Sequence, residues 1–234
     1  VMDRADTGEA ILFADDPPQD NPKNRDEEPV QVANELTKLF DGAESEIIIV
    51  SAYLIPTPEL EGAVERALDR GVIVRILTNS IGSNNHLSAH SAYRNHIDTL
   101  LEHGAELHEV RMEARDRDRY ILTPVGRKTL ALHAKALLID NDMVFVGSAN
   151  LDPRSLRINT EMGLLVLSEQ FNAKVRSALE GDFSTANAWR LELQSDGKVF
   201  WVSDDETLQS QPATSFTQRI EDWFFSHLPI EDEM

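Results

Sequence analysis

Two continuous apolar runs, residues 46–54 (EIIIVSAYL) and 72–78 (VIVRILT), constrain this chain more than anything else in it. Each is rich in β-branched residues and short for a helix, the pattern of a strand covered on both faces. Between them lies a helix with clear punctuation. Thr57 can cap it, Pro58 suits the first helical position, and Gly71 follows the last turn. A second helix is expected over residues 90–102, closed by Gly104, with a short strand at 106–110. This β-α-β-α-β order predicts parallel pairing in an α/β fold.

The second half reads as richer in strands. Residues 130–139 and 143–146 flank the turn Asp140-Asn141-Asp142, a hairpin signal, and residues 162–167 form a further strand before a helix at 169–179. Short strands at 188–194 and 199–202 meet at Ser195-Asp196-Gly197, and a last helix is expected around 216–225. Helical apolar spacing at Val32, Leu36, Leu39 and Phe40, ended by Gly42, opens the folded part. Ahead of it, residues 1–29 read as a linker or arm with one apolar patch at Ile11-Leu12-Phe13. The expectation is an α/β/α sandwich with a mixed, largely parallel central sheet, forming a single domain over residues 30–234. No repeat is evident.

The net charge of −19 argues against general affinity for nucleic acid or an anionic membrane. The charge is uneven: between residues 111 and 135, Arg111, Arg115, Arg117, Arg119, Arg127 and Lys128 outnumber the acids. That stretch reads first as a solvated surface of mixed sign, and second as a basic rim for an anionic headgroup. With no cysteine, neither a disulfide nor a thiolate metal site is possible. No apolar run reaches the roughly 18 residues that cross a bilayer. His86, His96, His103, His108 and His227 have no spacing that demands a metal. Trp189, Trp201, Trp223 and Phe224 read first as core packing, with contact to lipid as the alternative.

Chemistry concentrates in LHAKALLIDNDMVFVGSANLDPRSLRINTEMG. His133 and Lys135 stand two apart on the expected strand, so both side chains leave one face. An imidazole beside an ammonium in an apolar strand is costly unless an anion meets them. Ser148 and Asn150 lie just beyond the next strand, and Glu161 opens the one after. A histidine can attack phosphorus or protonate a leaving oxygen. Lys135 and the Asn150 amide can stabilise the phosphate oxygens. A carboxylate on the far ring nitrogen, for which Glu161 is the candidate, would fix the tautomer. Lys135 supplies the positive charge, so no metal or other cofactor is needed.

The segment resembles the phospholipase D superfamily, whose motif is HxK, four residues, D, six residues, GS, then N two residues beyond the serine. Here it reads His133, Lys135, Asp140, Gly147, Ser148 and Asn150, with Glu161 at the position of the family's histidine-orienting acid. The resemblance implies a site lined by His133, Lys135, Ser148, Asn150 and Glu161, with Asp140 and Gly147 structural. SAYLIPTPEL, ILTNSIGSNN with AHSAYR, and PATSFTQRIEDWFFSHLPIE are similar to the C-terminal half of bacterial cardiolipin synthases of the C type. FADDPPQ is similar to their segment between halves.

Those enzymes carry two such motifs and act through a phosphohistidine. The resemblance implies phosphatidylglycerol and a second phospholipid or alcohol as substrates. It implies a parent protein at the surface of a bacterial membrane, with this chain soluble by itself. One motif is present here. The expectation is therefore a C-terminal half whose partner half precedes Val1, with His133 as general acid and base. The alternatives are a single-motif phosphodiesterase or nuclease active as a homodimer, and a folded half without turnover. Asn79, Ser80, His90, Tyr93, Arg154 and Arg157 are further candidates for substrate contact, with capping, packing or ion pairing as their ordinary alternatives.

Overall fold

The computed structural model describes residues 8–16, 30–84, 86–116 and 131–227. In chain order the elements are β1 (Glu9–Ala14), α1 (Gln31–Gly42), β2 (Glu46–Ser51), α2 (Pro58–Asp69), β3 (Ile73–Asn79), α3 (Leu87–Tyr93) and α4 (Ile97–Glu102). There follow β4 (Glu106–Val110), β5 (Lys135–Ile139), β6 (Met143–Gly147), β7 (Met162–Leu167), α5 (Glu169–Leu179), β8 (Ala188–Leu193), β9 (Val199–Val202), β10 (Thr207–Leu208) and α6 (Phe216–Phe225). All strands join one sheet in the order β1-β7-β6-β5-β2-β3-β4-β8-β9-β10.

The mixed sheet expected from the sequence is present, but its largely parallel character is not. Only β2–β3 and β3–β4 pair in parallel within the sheet, together with an isolated parallel bridge between Leu54 and Leu151, and every other strand pairing among the described residues is antiparallel. The reason is connection length. Helices α2 and α3–α4 provide crossovers, whereas the tight Asp140 and Gly197 turns can only reverse the chain.

The apolar runs are continuous because both sheet faces are covered. Ile47 and Ile49 of β2 pack with Leu36, Phe40, Leu60 and Val64 from α1 and α2. Ile48 and Val50 point to the other side, where Phe171, Val175 and Leu179 of α5 lie. Burying each such side chain contributes about 1.5–3 kcal/mol.

The α2 punctuation is as expected: Thr57 Oγ1 accepts from the Leu60 N–H, and Gly71 takes φ +84°. The helix expected over 90–102 begins earlier and is broken, α3 and α4 being separated by a 3₁₀ turn at Arg94–His96.

Part of the expected arm is structural. Glu9–Ala14 pairs along the whole of β7, with Phe13 stacked on Phe145 at 5.9 Å between ring centroids. The Ile11-Leu12-Phe13 patch was the visible trace of this edge strand. Residues 1–7 and 17–29 of the expected arm lie outside the described residues, as does the basic stretch from 117 to 128. Of that stretch's other members, Arg115 is an exposed partner of Asp204 and Asp205, whereas Arg111 is buried, lies over the Trp189 ring and pairs with Asp205, so the solvated-surface reading does not hold for it.

Candidate functional site

Antiparallel pairing brings the start of β5, the end of β6 and the start of β7 to one edge of the sheet. The same edge receives the C-terminal ends of β2 and β3. Lys135, Ser148 and Glu161, widely spaced in sequence, therefore converge.

Strand β5 starts at Lys135, so His133 lies in the extended segment before it rather than in the strand. That segment leaves ordinary ladder pairing because Asn79 holds it instead. Asn79 Nδ2 donates to the carbonyls of Leu132 and Ala52, both at 2.9 Å, and Oδ1 accepts from the Leu132 N–H at 2.8 Å. The Ala52 N–H bonds the Ala134 carbonyl at 3.1 Å. His133, between these anchors, is exposed, and Lys135 Nζ stands 3.4 Å from each of its ring nitrogens. Burial pushes the Lys135 ammonium below its ordinary pKa, opposed by the negative charges of Asp152 and Glu161.

Glu161 is buried, and its carboxylate accepts from the Ser148 hydroxyl in a short hydrogen bond and from Asn159 Nδ2 at 3.2 Å. The expected bond from Glu161 to the His133 ring is not formed; the hydrogen bonds of the carboxylate go to Ser148 and Asn159 instead. The main chain of Glu161 is fixed from afar: its N–H donates to Asp15 Oδ2 at 2.9 Å, while Asp15 Oδ1 accepts from the Val32 N–H at 2.8 Å. Asn150 Oδ1 is buried without a hydrogen-bond partner.

Asp140 and Gly147 hold the frame. Asp140 turns the hairpin with φ +52°, and its carboxylate accepts from the N–H groups of Ser45 (2.7 Å), Glu46 (3.1 Å) and Glu44 (3.2 Å) and from the Ser45 hydroxyl. A Cβ on Gly147 would lie 2.7 Å from the Met162 carbonyl oxygen, so only glycine permits this approach of β6 to β7.

The further candidates separate cleanly. Ser80 is buried and donates to the Val110 carbonyl at 2.7 Å, a packing role like that of Asn79. His90 and Tyr93 are buried within the fold. His90 Nδ1 lies 2.8 Å from Asp222 Oδ1, and Tyr93 faces the buried Glu109. Arg157 bonds Glu59 at 2.8 Å. Arg154 is exposed and lines a cavity of about 360 Å³ with Asn150, Asp152, Tyr53 and His86.

Asp152 and Asp15 escaped the sequence reading. Burial raises the Asp152 carboxyl, against the lowering effect of Ser155 and Asn150. Asp152 also starts the π-helical turn Arg154–Ile158 by accepting from the Ser155 N–H at 2.7 Å. The Asp-Pro-Arg-Ser sequence, a cap before a helical proline, was the signal available.

Comparison with known proteins bears on what this edge does. Residues 36–183 match the family model described as cardiolipin synthase, PLD-like domain. The chain is 35% identical to cardiolipin synthase C of Escherichia coli (strain K12) over 206 residues, which are 83% of the chain and 42% of that protein. It is 30% identical to an uncharacterized protein of Helicobacter pylori (strain ATCC 700392 / 26695) over 222 residues, again covering 42% of the relative. The chain thus spans less than half the length of these relatives.

Among solved structures, phosphatidylserine synthase of Haemophilus influenzae Rd KW20 superposes with a TM-score of 0.55 at 17% identity, over 78% of this chain and 40% of that one. Nuc from Salmonella typhimurium, a phospholipase D family member, gives 0.53 at 17% identity, over 79% of this chain and 98% of Nuc. At such identity these two likenesses establish the fold. Among the described residues no helix is long and apolar enough to cross a membrane.

Proposed function

The chain belongs to the PLD-like domain family of cardiolipin synthase, and from that premise we propose that it is one catalytic half of a phosphatidyltransferase or phospholipase D. The observation that carries the reading is the pairing of His133 with Lys135, whose ammonium feels the charges of Asp152 and Glu161, with Ser148 bonded to Glu161. The substrate is a phospholipid phosphodiester. A histidine nitrogen attacks phosphorus, forming an N–P bond as the P–O bond to the leaving alcohol breaks. That alcohol takes a proton from a second histidine. A second alcohol then gives its proton to the same histidine while its oxygen displaces the phosphohistidine nitrogen. His133 fills one of these roles, the acid and base by analogy with the two-motif enzymes. Lys135 and the Asn150 amide meet the charge on the phosphate oxygens, in surroundings whose partial burial strengthens the attraction.

The second histidine comes from another lobe, either the N-terminal half of the same protein or a second copy. An apolar strip supports such docking. Leu12, Leu164 and Val146 stand on one rung across β1, β7 and β6, and all are exposed, as is Met162 nearby. A second reading is a single-motif phosphodiesterase assembled from two copies, supported by the size of Nuc, a phospholipase D family member of which 98% is spanned by this one lobe.

The test is turnover of phosphatidylglycerol in mixed micelles by this chain, alone and with the N-terminal half added, using His133→Ala as control. Activity only with the added half supports the half-enzyme. Activity of the chain alone, with a dimer in sedimentation, supports the second reading. Phospholipid turnover that His133→Ala leaves intact would sink both.

A further inference from the structure

Helix α6 is apolar on the side that faces out. Phe216, Ile220, Trp223 and Phe224 are 75, 50, 55 and 56% exposed. Their i, i+4, i+7, i+8 spacing puts them in one stripe. This corrects the expectation that Trp223 and Phe224 pack in the core; Trp189 and Trp201 do so, at 6% exposure each.

The opposite side of α6 explains the inversion. Asp222 is fully buried and accepts from His90 Nδ1 (2.8 Å), the Ser91 hydroxyl (2.9 Å) and Arg94 (3.2 Å). Gln218 Nε2 donates to the Ile81 carbonyl at 2.8 Å. The polar side of the helix is thus its attachment to α3 and the β3–α3 connection, leaving the aromatic side to the exterior.

Position and charge say what that exterior is. Ser88 and Ala89 of α3 line the cavity that holds Asn150, Asp152 and Arg154, and α6 packs on the same helix α3. At the stripe's edge next to Trp223 lies Arg219, which is exposed and forms no ion pair among the described residues. Arg219 also lines a groove of about 410 Å³ with Arg94 and Lys198. Arg94 and Lys198 are paired with Asp222 and Asp196, and Asp98 lines the same groove, so in a chain of net charge −19 Arg219 is the cation at this margin without an ion pair among the described residues. A Trp and Phe stripe with a cationic edge matches the boundary between acyl chains and anionic headgroups.

We propose that α6 seats this domain on an anionic phospholipid bilayer, with Phe216, Ile220, Trp223 and Phe224 entering the headgroup boundary and Arg219 meeting phosphate. The proposal deepens the phospholipid reading above, since it brings the domain to the surface that holds the substrate.

The test uses vesicles of equal parts phosphatidylglycerol and phosphatidylcholine, with and without brominated acyl chains. The chain should co-sediment with them, and bromine should quench its tryptophan emission, because Trp223 is the exposed indole. Phe216→Gln, Ile220→Gln and Phe224→Gln combined keep Trp223 as reporter. They should weaken binding at least about tenfold while leaving the thermal melt in place. Arg219→Gln should weaken binding to these vesicles and not to pure phosphatidylcholine. Three results would overturn the proposal: no binding by the unaltered chain, equal binding by the triple variant, or a dimer that the triple variant splits. His133→Ala should bind vesicles like the unaltered chain. Binding that persists where no turnover is ever seen would overturn the catalytic reading and leave this one standing.

Discussion

The side chain of Asn79 pairs with both backbone polar groups of Leu132, the residue before His133, at 2.9 and 2.8 Å. An amide thus imitates a neighbouring strand and fixes the path of the chain where β5 has not yet begun. Asn79→Ala leaves those Leu132 groups and the Ala52 carbonyl short of partners. The expected cost is about 1–3 kcal/mol of stability, with a fall in turnover larger than a melt shift of that size explains. Unchanged turnover with a lowered melting temperature would reduce Asn79 to a packing residue.

His133 itself carries little of the fold. It is exposed, and its side-chain neighbour is Lys135. His133→Ala should shift stability by no more than about 0.5 kcal/mol while abolishing turnover by the assembled enzyme. A urea titration beside the activity assay separates the two effects.

Asp140 is the reverse case. Burial acts to raise its carboxyl, but the Ser45 hydroxyl and the N–H groups of Glu46, Ser45 and Glu44 outweigh burial and hold the pKa below its ordinary value. A depressed folded pKa means stability that is present above the unfolded pKa and lost as pH falls through the folded one. Asp140→Ala should cost about 1–3 kcal/mol near neutrality. The gap from the unaltered chain should close under acid, as chemical melts across pH would reveal.

Glu109 runs the other way. It is fully buried, and burial lifts its carboxyl to about 7. The folded state therefore holds a proton that the unfolded chain releases near the ordinary glutamate value of 4.5. The stabilising effect of holding that proton is full below the lower value and lost as pH rises to the upper one. Glu109→Gln should gain stability relative to the unaltered chain across that window, by on the order of 3 kcal/mol. A difference that does not change with pH would refute the assignment.

Gly147 is set by space rather than by charge. Gly147→Ala presses a methyl group on the Met162 carbonyl, and the backbone of β7 cannot give way cheaply. A loss of about 1–3 kcal/mol is expected. Turnover should fall with it, since Ser148 and Glu161 flank the contact. A melt matching the unaltered chain would mean the strands separate freely there.

What the sequence disclosed was local. The β2 run, the Thr57 and Pro58 start of α2, and the spacing from His133 to Asn150 could each be read from neighbours in the chain. What it hid was distant. Arg157 read as either a ligand contact or half of an ion pair with a nearby acid, and its partner proved to be Glu59, 98 positions away. Asn79 looked like a pocket residue, and its partner Leu132 is 53 positions on. The stripe on α6 looked like core because periodicity reports that a helix has two sides, not which side is outermost. Here a buried aspartate decided it, against the usual rule that charge faces water.

Strand β1 has a consequence for how the molecule comes into being. Asp15 and Glu161 are 146 positions apart, and they close one of the longest loops in the fold. Contacts of such span form late, because the entropy of closing the loop must be met before they yield anything. Synthesis from the N-terminus makes β1 early and leaves it without a partner until β7 has emerged. The carboxylate beside Ser148 therefore acquires its final backbone anchor only once β7 has emerged. Catalytic competence is thereby a late event in folding, and the nascent protein meets its surroundings before its site is assembled.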